Sequence, residues 1–310
     1  MRPTLLAVSL TLTLSMGCTA TEATDDVIVD LGYQVDPHVN TYIPDGYRAT
    51  DPQRVIFLGD SITKGAGSTG LGLKYTKLLS DNHDAKWAGW GEHDLSSLFG
   101  EVEVVDVSRN GAQTTDLISD QLPNVSELIG DAVSGETIVV MTIGGNDMQA
   151  AIAPIITATD KEAAYQQRIA PTITRFGTII DYFQDSDRFP DGTFIYMTNV
   201  YEPTDNVGQT DACFFGFKIG DALPYLDRAN DEVRELAIER GTASIDLRGH
   251  FLGHGHNFAN STMDSFDEPD PTLWLAEDCI HPNDRGHHEV RRLFLTAIDG
   301  RQLEAFGDAP

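Results

Sequence analysis

Residues 55–63 read VIFLGDSIT, an apolar run that stops at Gly59 and presents Ser61 in a short polar turn. Four apolar residues bounded by a turn signal read as a buried strand, and a strand ending in Gly-Asp-Ser is a place where a fold can expose a nucleophile. The same grammar recurs outward from this stretch. Segments 102–107, 137–143, 193–200 and 243–247 read as strands, while 115–122, 161–183, 223–240 and 285–298 carry apolar residues three and four apart, as helices do. Gly241 follows the third of these helices, where a helix terminator belongs. Strand and helix in alternation predict a parallel sheet covered on both faces, an α/β/α sandwich of about five strands. Ligands of such sheets bind beyond the carboxyl ends of the strands, and Ser61, Gly111 and Asn146 each follow one. The stretches 201–220 and 249–277 are expected to overhang that edge as loops.

A chain of 310 residues with 41% hydrophobic content can bury a full core, and its net charge of -27 argues against nucleic acid as a partner. No basic patch is visible, and the acidity reads as a solvated surface. The N-terminus reads as a processing signal: Arg2, an apolar run over 5–14 too short to span a bilayer, then Ser15-Met16-Gly17-Cys18. That tetrapeptide is similar to the lipobox of bacterial lipoproteins, which makes 1–17 a signal peptide of lipoprotein type and Cys18 the lipid attachment point. Cleavage after Ala20, releasing a soluble exported protein, is the competing reading. Residues 18–52 read as a linker and N-terminal extension, and 53–310 as one domain. In an exported protein Cys213 and Cys279 form an even pair that invites a disulfide, with two free thiols as the alternative.

Three further segments supply what a serine needs: RNGAQTTDL around Gly111, TIGGNDM around Asn146, and DCIHPND around Asp278 and His281. A serine hydroxyl requires an adjacent base, and an imidazole requires a carboxylate to hold its tautomer, roles open to His281 and Asp278. Attack on a carbonyl creates an oxyanion, for which the backbone N–H groups of Ser61 and Gly111 and the side-chain amide of Asn146 are the candidate donors. Asp60 and Asp147 read as structural carboxylates binding loop amides. His287 and His288 read as helix-face residues.

These four blocks resemble, in order, those of the SGNH hydrolase superfamily, the GDSL esterases and lipases: GDSIT at 59–63, the glycine of NGAQTTDL, GGND at 144–147 and DCIH at 278–281. Ile62 stands where some members carry leucine. The resemblance implies a flavodoxin-like fold, ester hydrolysis through an acyl-enzyme without a cofactor, and the residue roles just given. A GxSxG elbow is absent because position 63 is Thr. Lipid, lysophospholipid or short-chain acyl esters are the expected substrates, with carbohydrate O-acetyl esters as the alternative and a non-catalytic surface binding module as a remote one. Trp87, Trp90 and Trp274 are candidates to stack on sugars, against ordinary core packing. His250, His254 and His256 invite a metal reading, but with no fixed fourth ligand they are expected to form a polar loop at the rim of the site, and no metal is expected. The sequence gives no sign of oligomeric state.

Overall fold

The computed structural model describes residues 40–210 and 217–300. Five parallel strands build one sheet: Pro52–Gly59 (β1), Glu103–Asp106 (β2), Glu136–Thr142 (β3), Thr193–Thr198 (β4) and Ala243–Ile245 (β7), in the order β2-β1-β3-β4-β7. A two-stranded antiparallel ribbon, Gln209–Thr210 (β5) with Phe217–Lys218 (β6), lies apart from it and was not foreseen from the sequence. The register sets Leu58 beside Met141 and Val140 beside Tyr196.

Because side chains alternate along a strand, β1 and β3 feed two cores. Val55, Phe57, Ile138 and Val140 pack on one face with Leu293 and Phe294 of the helix Asp284–Asp299. Ile56, Leu58, Val139 and Met141 pack on the other with Phe176 and Ile180 of the helix Ala170–Phe183. This is the α/β/α sandwich expected, and both faces being covered explains why the strands read as unbroken apolar runs.

The helix Leu223–Arg240 keeps its expected bounds, ended by Gly241 in the left-handed conformation. Two expectations are corrected. The segment 161–183 is two helices, Lys161–Arg168 and Ala170–Phe183, because Pro171 lacks the N–H that would continue the first. The segment 115–122 belongs to a longer run: Thr114–Asp116, a π-helical turn Leu117–Gln121, then Leu122–Ile129. The helix Gly145–Thr157 was not anticipated at all.

His287 and His288 do lie on a helix face, but one sealed inside the molecule. His288 stacks on Trp87 with ring centroids 3.8 Å apart. His287 Nε2–H donates to the Ala66 carbonyl at 2.9 Å, and burial lowers its imidazole to about 4. Trp87, Trp90 and Trp274 are only 2–3% exposed, so they are packing residues and offer no surface on which a sugar could stack. No helix among the described residues is long and apolar enough to cross a membrane. Cys18, the proposed signal peptide and Cys213 lie outside the described residues.

Candidate active site

The turn after β1 is built so that Ser61 opens a helix. Gly59 has φ +129°, and a Cβ there would fall 2.0 Å from the Thr142 carbonyl oxygen, so only glycine lets β1 pass β3 this closely. Gln121 secures the same point: its Nε2 donates to the Gly59 carbonyl and its Oε1 accepts the Gly59 N–H, each at 2.8 Å. Asp60 then caps the four-residue helix Ser61–Lys64, accepting from Ile62 N–H at 3.0 Å. It also accepts from the Thr142 hydroxyl at 3.2 Å, and burial, partly offset by these bonds, pushes its carboxyl up to about 6.

His281 reaches this turn from 220 residues away. Its Nδ1–H donates to Asp278 Oδ2 at 2.5 Å, since a carboxylate only accepts, which leaves Nε2 to accept from the Ser61 hydroxyl at 2.7 Å. The other oxygen of Asp278 accepts the backbone N–H groups of Ile280 and His281 at 3.1 and 3.0 Å, so one carboxylate both shapes the loop and orients the ring. Burial tends to raise the Asp278 carboxyl, but the His281 backbone N–H, the His281 ring and the Ile280 N–H outweigh it and hold the group below the ordinary carboxylate range. Gly67, with φ +90°, lets the loop seat closely, because a Cβ there would meet the Pro282 carbonyl at 2.2 Å.

Asn146 sits in the first turn of Gly145–Thr157, whose capping residue Gly144 has φ +104°. One N–H of its amide donates to the Ala112 carbonyl at 3.0 Å, leaving the second for another acceptor. Gln113 Nε2 donates to the Asn146 carbonyl at 3.2 Å, joining the Gly111 loop to the same helix. Ser61, Asn146, Asp278 and His281 all line one cleft of about 620 Å³; Gly111 is exposed beside it and is not among the lining residues. Asp147, as expected, is structural: it accepts from Thr114 N–H and hydroxyl at 2.9 and 2.8 Å and from Arg175 at 3.1 Å.

The three histidines of HFLGHGH do not converge, and no group of three or more His, Cys, Asp or Glu among the described residues could hold a metal. The expectation of a polar rim loop is corrected for two of them. His250 is buried against Glu289 at 2.9 Å, and His254 is buried in a stack on Trp274, 3.4 Å between centroids. His256 alone meets the site: its Nε2–H donates to the Cys279 carbonyl at 3.1 Å. Of the two long loops, only the first contributes to the cleft, through Tyr201, Glu202, Pro203, Thr204 and Ile219; the second backs the loop that carries Asp278.

Sequence reading missed a bracket around that loop. The Tyr201 hydroxyl, held protonated because burial raises it well above its ordinary value, donates to the Ile280 carbonyl. Asp205 accepts three backbone N–H groups, from Gly253, Gly255 and Asn257 at 2.8–2.9 Å, which fixes the strip that carries His256. Cys279 has φ +69° and is disulfide-bonded, while its expected partner Cys213 lies outside the described residues. The only available signal was that Tyr201 follows β4 at the carboxyl edge of the sheet. Replacing Tyr201 by Phe keeps the ring stacked on Phe251, 4.7 Å between centroids, and removes only the hydroxyl. Ester turnover should show kcat about tenfold lower with KM changed less than about twofold, as expected for a displaced His281; an unchanged kcat would show that the bond does not hold the loop.

The model of the GDSL-like Lipase/Acylhydrolase family matches residues 57–289. Lipase 2 of Streptomyces coelicolor is 25% identical over 263 residues, covering 78% of this chain and 85% of that protein. Two solved structures share the fold. LAE5, an alpha/beta hydrolase enzyme from the metagenome of Lake Arreo, is 22% identical with a TM-score of 0.51, covering 82% of this chain and 98% of its own. The acetyl xylan esterase AlAXEase is 22% identical with a TM-score of 0.50, covering 79% of this chain and 99% of its own.

Proposed function

We propose the following chemistry for this chain, which belongs to the GDSL-like lipase/acylhydrolase family: hydrolysis of carboxylic esters with Ser61 as nucleophile, His281 as general base and Asp278 as its orienting carboxylate. The observation that carries the reading is the unbroken chain of hydrogen bonds from Ser61 through His281 to Asp278, 2.7 and 2.5 Å long. Ser61 Oγ attacks the carbonyl carbon as His281 Nε2 takes its proton, and the carbonyl electron pair moves onto oxygen. The second N–H of Asn146 and the backbone N–H groups of Ser61 and Gly111 stabilise that oxyanion, each contributing on the order of 100-fold in rate. Collapse expels the alcohol, which takes the proton from His281, and water repeats the sequence to free the acid. No step draws on a cofactor.

The test is covalent. A fluorophosphonate probe should label the protein once, on the peptide bearing Ser61, in parallel with loss of p-nitrophenyl ester turnover. Labelling elsewhere, or turnover that survives labelling, would remove Ser61 from the mechanism.

We further propose that the protein is exported and held at the cell envelope by a lipid on Cys18, a reading supported by the apolar run and the Ser15-Met16-Gly17-Cys18 sequence. A palmitate analogue supplied to expressing cells should be incorporated, and incorporation should disappear in Cys18→Ala. A soluble, unlabelled wild-type product would favour cleavage after Ala20.

A further inference from the structure

The cleft is chemically lopsided. Beside Ser61, His281 and Asp278 the cleft has an apolar wall of Ile143, Met148, Ile152, Val200, Ile219 and Leu226, in which Met148, Val200 and Leu226 pack together, interrupted by polar lining residues such as Gln149 and Asn199. Met148 and Ile152 lie on the helix that also carries Asn146. The six residue steps from Asn146 to Ile152 span roughly 9 Å at the rise of an α-helix, a length that a zigzag of roughly seven C–C bonds covers. Ile219 and Leu226 come from a second segment, Leu226 on the helix Leu223–Arg240.

We infer that this wall is an acyl-chain seat and that the enzyme prefers uncharged, unbranched acyl esters of about eight carbons over acetyl esters. The inference rests on the serine-hydrolase reading above and specifies its substrate. With the oxyanion at Asn146, the acyl chain runs along the same helix past Met148 to Ile152. An acetyl group would leave most of a cleft of about 620 Å³ without apolar contact. Charge points the same way. No Lys or Arg is among the described lining residues, whereas Asp60, Glu202 and Asp278 are. Glu202 is buried and largely occupied within its own loop: Oε2 accepts the Thr204 N–H and hydroxyl at 2.7 and 2.5 Å, and Oε1 accepts the Asn206 N–H at 2.5 Å. A chain ending in a carboxylate would therefore meet apolar carbon and like charge. Stacking of a sugar on tryptophan finds no support, since all three tryptophans are interior.

The test is a p-nitrophenyl ester series from acetyl to dodecanoyl on the full chain, with the mono-ester of octanedioic acid as the charged comparison. Burial of one methylene corresponds to about fourfold in kcat/KM, reduced by the cost of ordering the chain. Octanoyl should therefore exceed acetyl by at least about 50-fold, and the octanedioyl ester should fall at least about 50-fold below octanoyl. Ile152 is half-buried at the wall, so Ile152→Trp would fill the seat without opening the core. In that variant the octanoyl-to-acetyl ratio should collapse by at least about 20-fold. Turnover that is flat with chain length, or highest for acetyl with acetate released from acetylated xylan, would overturn the acyl seat and leave the hydrolase standing. No turnover at any length and no labelling of Ser61 would overturn the hydrolase and the seat with it.

Discussion

Ser61→Ala should lower kcat for p-nitrophenyl esters by about 10⁵- to 10⁶-fold while leaving the melting temperature within a few degrees of wild type. The first part follows from chemistry. Once the hydroxyl is gone His281 has no nucleophile to deprotonate, and what remains is the modest acceleration of a site that still binds and polarises a carbonyl. Among the described lining residues no other group is placed to substitute. Cys279 is disulfide-bonded, and Thr142 is 2% exposed with its hydroxyl shared among Thr63 at 2.7 Å and Asp60 at 3.2 Å. The second part follows from packing. Ser61 is half-buried, the cap of its helix is Asp60, and its hydroxyl has its hydrogen bond with His281. A neighbouring control makes the contrast. Gly59→Ala would drive a methyl group into the Thr142 carbonyl, so loss of activity there would come with loss of the fold. A Ser61→Ala protein that melted normally yet retained more than about 1% of activity would show that the serine is not the nucleophile.

The parts of this molecule that could be read from sequence are those whose causes are local. β1 and β3 announce themselves because both faces are buried, and Leu223–Arg240 ends where Gly241 supplies the left-handed cap. The Ser61, Asn146 and Asp278/His281 segments could be placed because each sits directly after a strand or in a short polar loop. What escaped is long-range. Gly145–Thr157 starts from a left-handed glycine within GGND and contains Pro154, so its helical period is masked at both ends of the segment. On Asp284–Asp299 the sequence shows His287 and His288 only as helix-face residues, yet His288 packs between Trp87 and Trp90, and Glu289 is buried among Arg285, Arg292 and His250. The bracket of Tyr201, Asp205 and His256 joins segments 23 to 79 residues apart in loops without periodicity, and no local pattern encodes such a contact.

That bracket decides how the second large effect should be read. Asp278→Asn should lower kcat by about 10³-fold, somewhat less than the roughly 10⁴-fold loss expected when a fully buried triad carboxylate becomes an amide. The mechanism is the tautomer. An amide nitrogen turned toward His281 Nδ1 would donate, forcing the ring proton onto Nε2, where it would point at Ser61 and block proton acceptance. The amide oxygen can keep the backbone N–H groups of Ile280 and His281, so the loop has no reason to unravel. Tyr201 and His256 hold the two intervening carbonyls independently of the substitution. The discount relative to a buried triad comes from exposure: the Asp278 side chain is 47% accessible, so water can stabilise part of the imidazolium that forms. Asp278→Ala separates the two duties of the carboxylate, because it also releases the turn, and it should fall a further few-fold below Asp278→Asn. The measurement is kcat for both variants beside their melting temperatures. A loss of less than tenfold in Asp278→Asn would mean that solvent and the bracket suffice to orient His281, and that Ser61 and His281 work as a dyad.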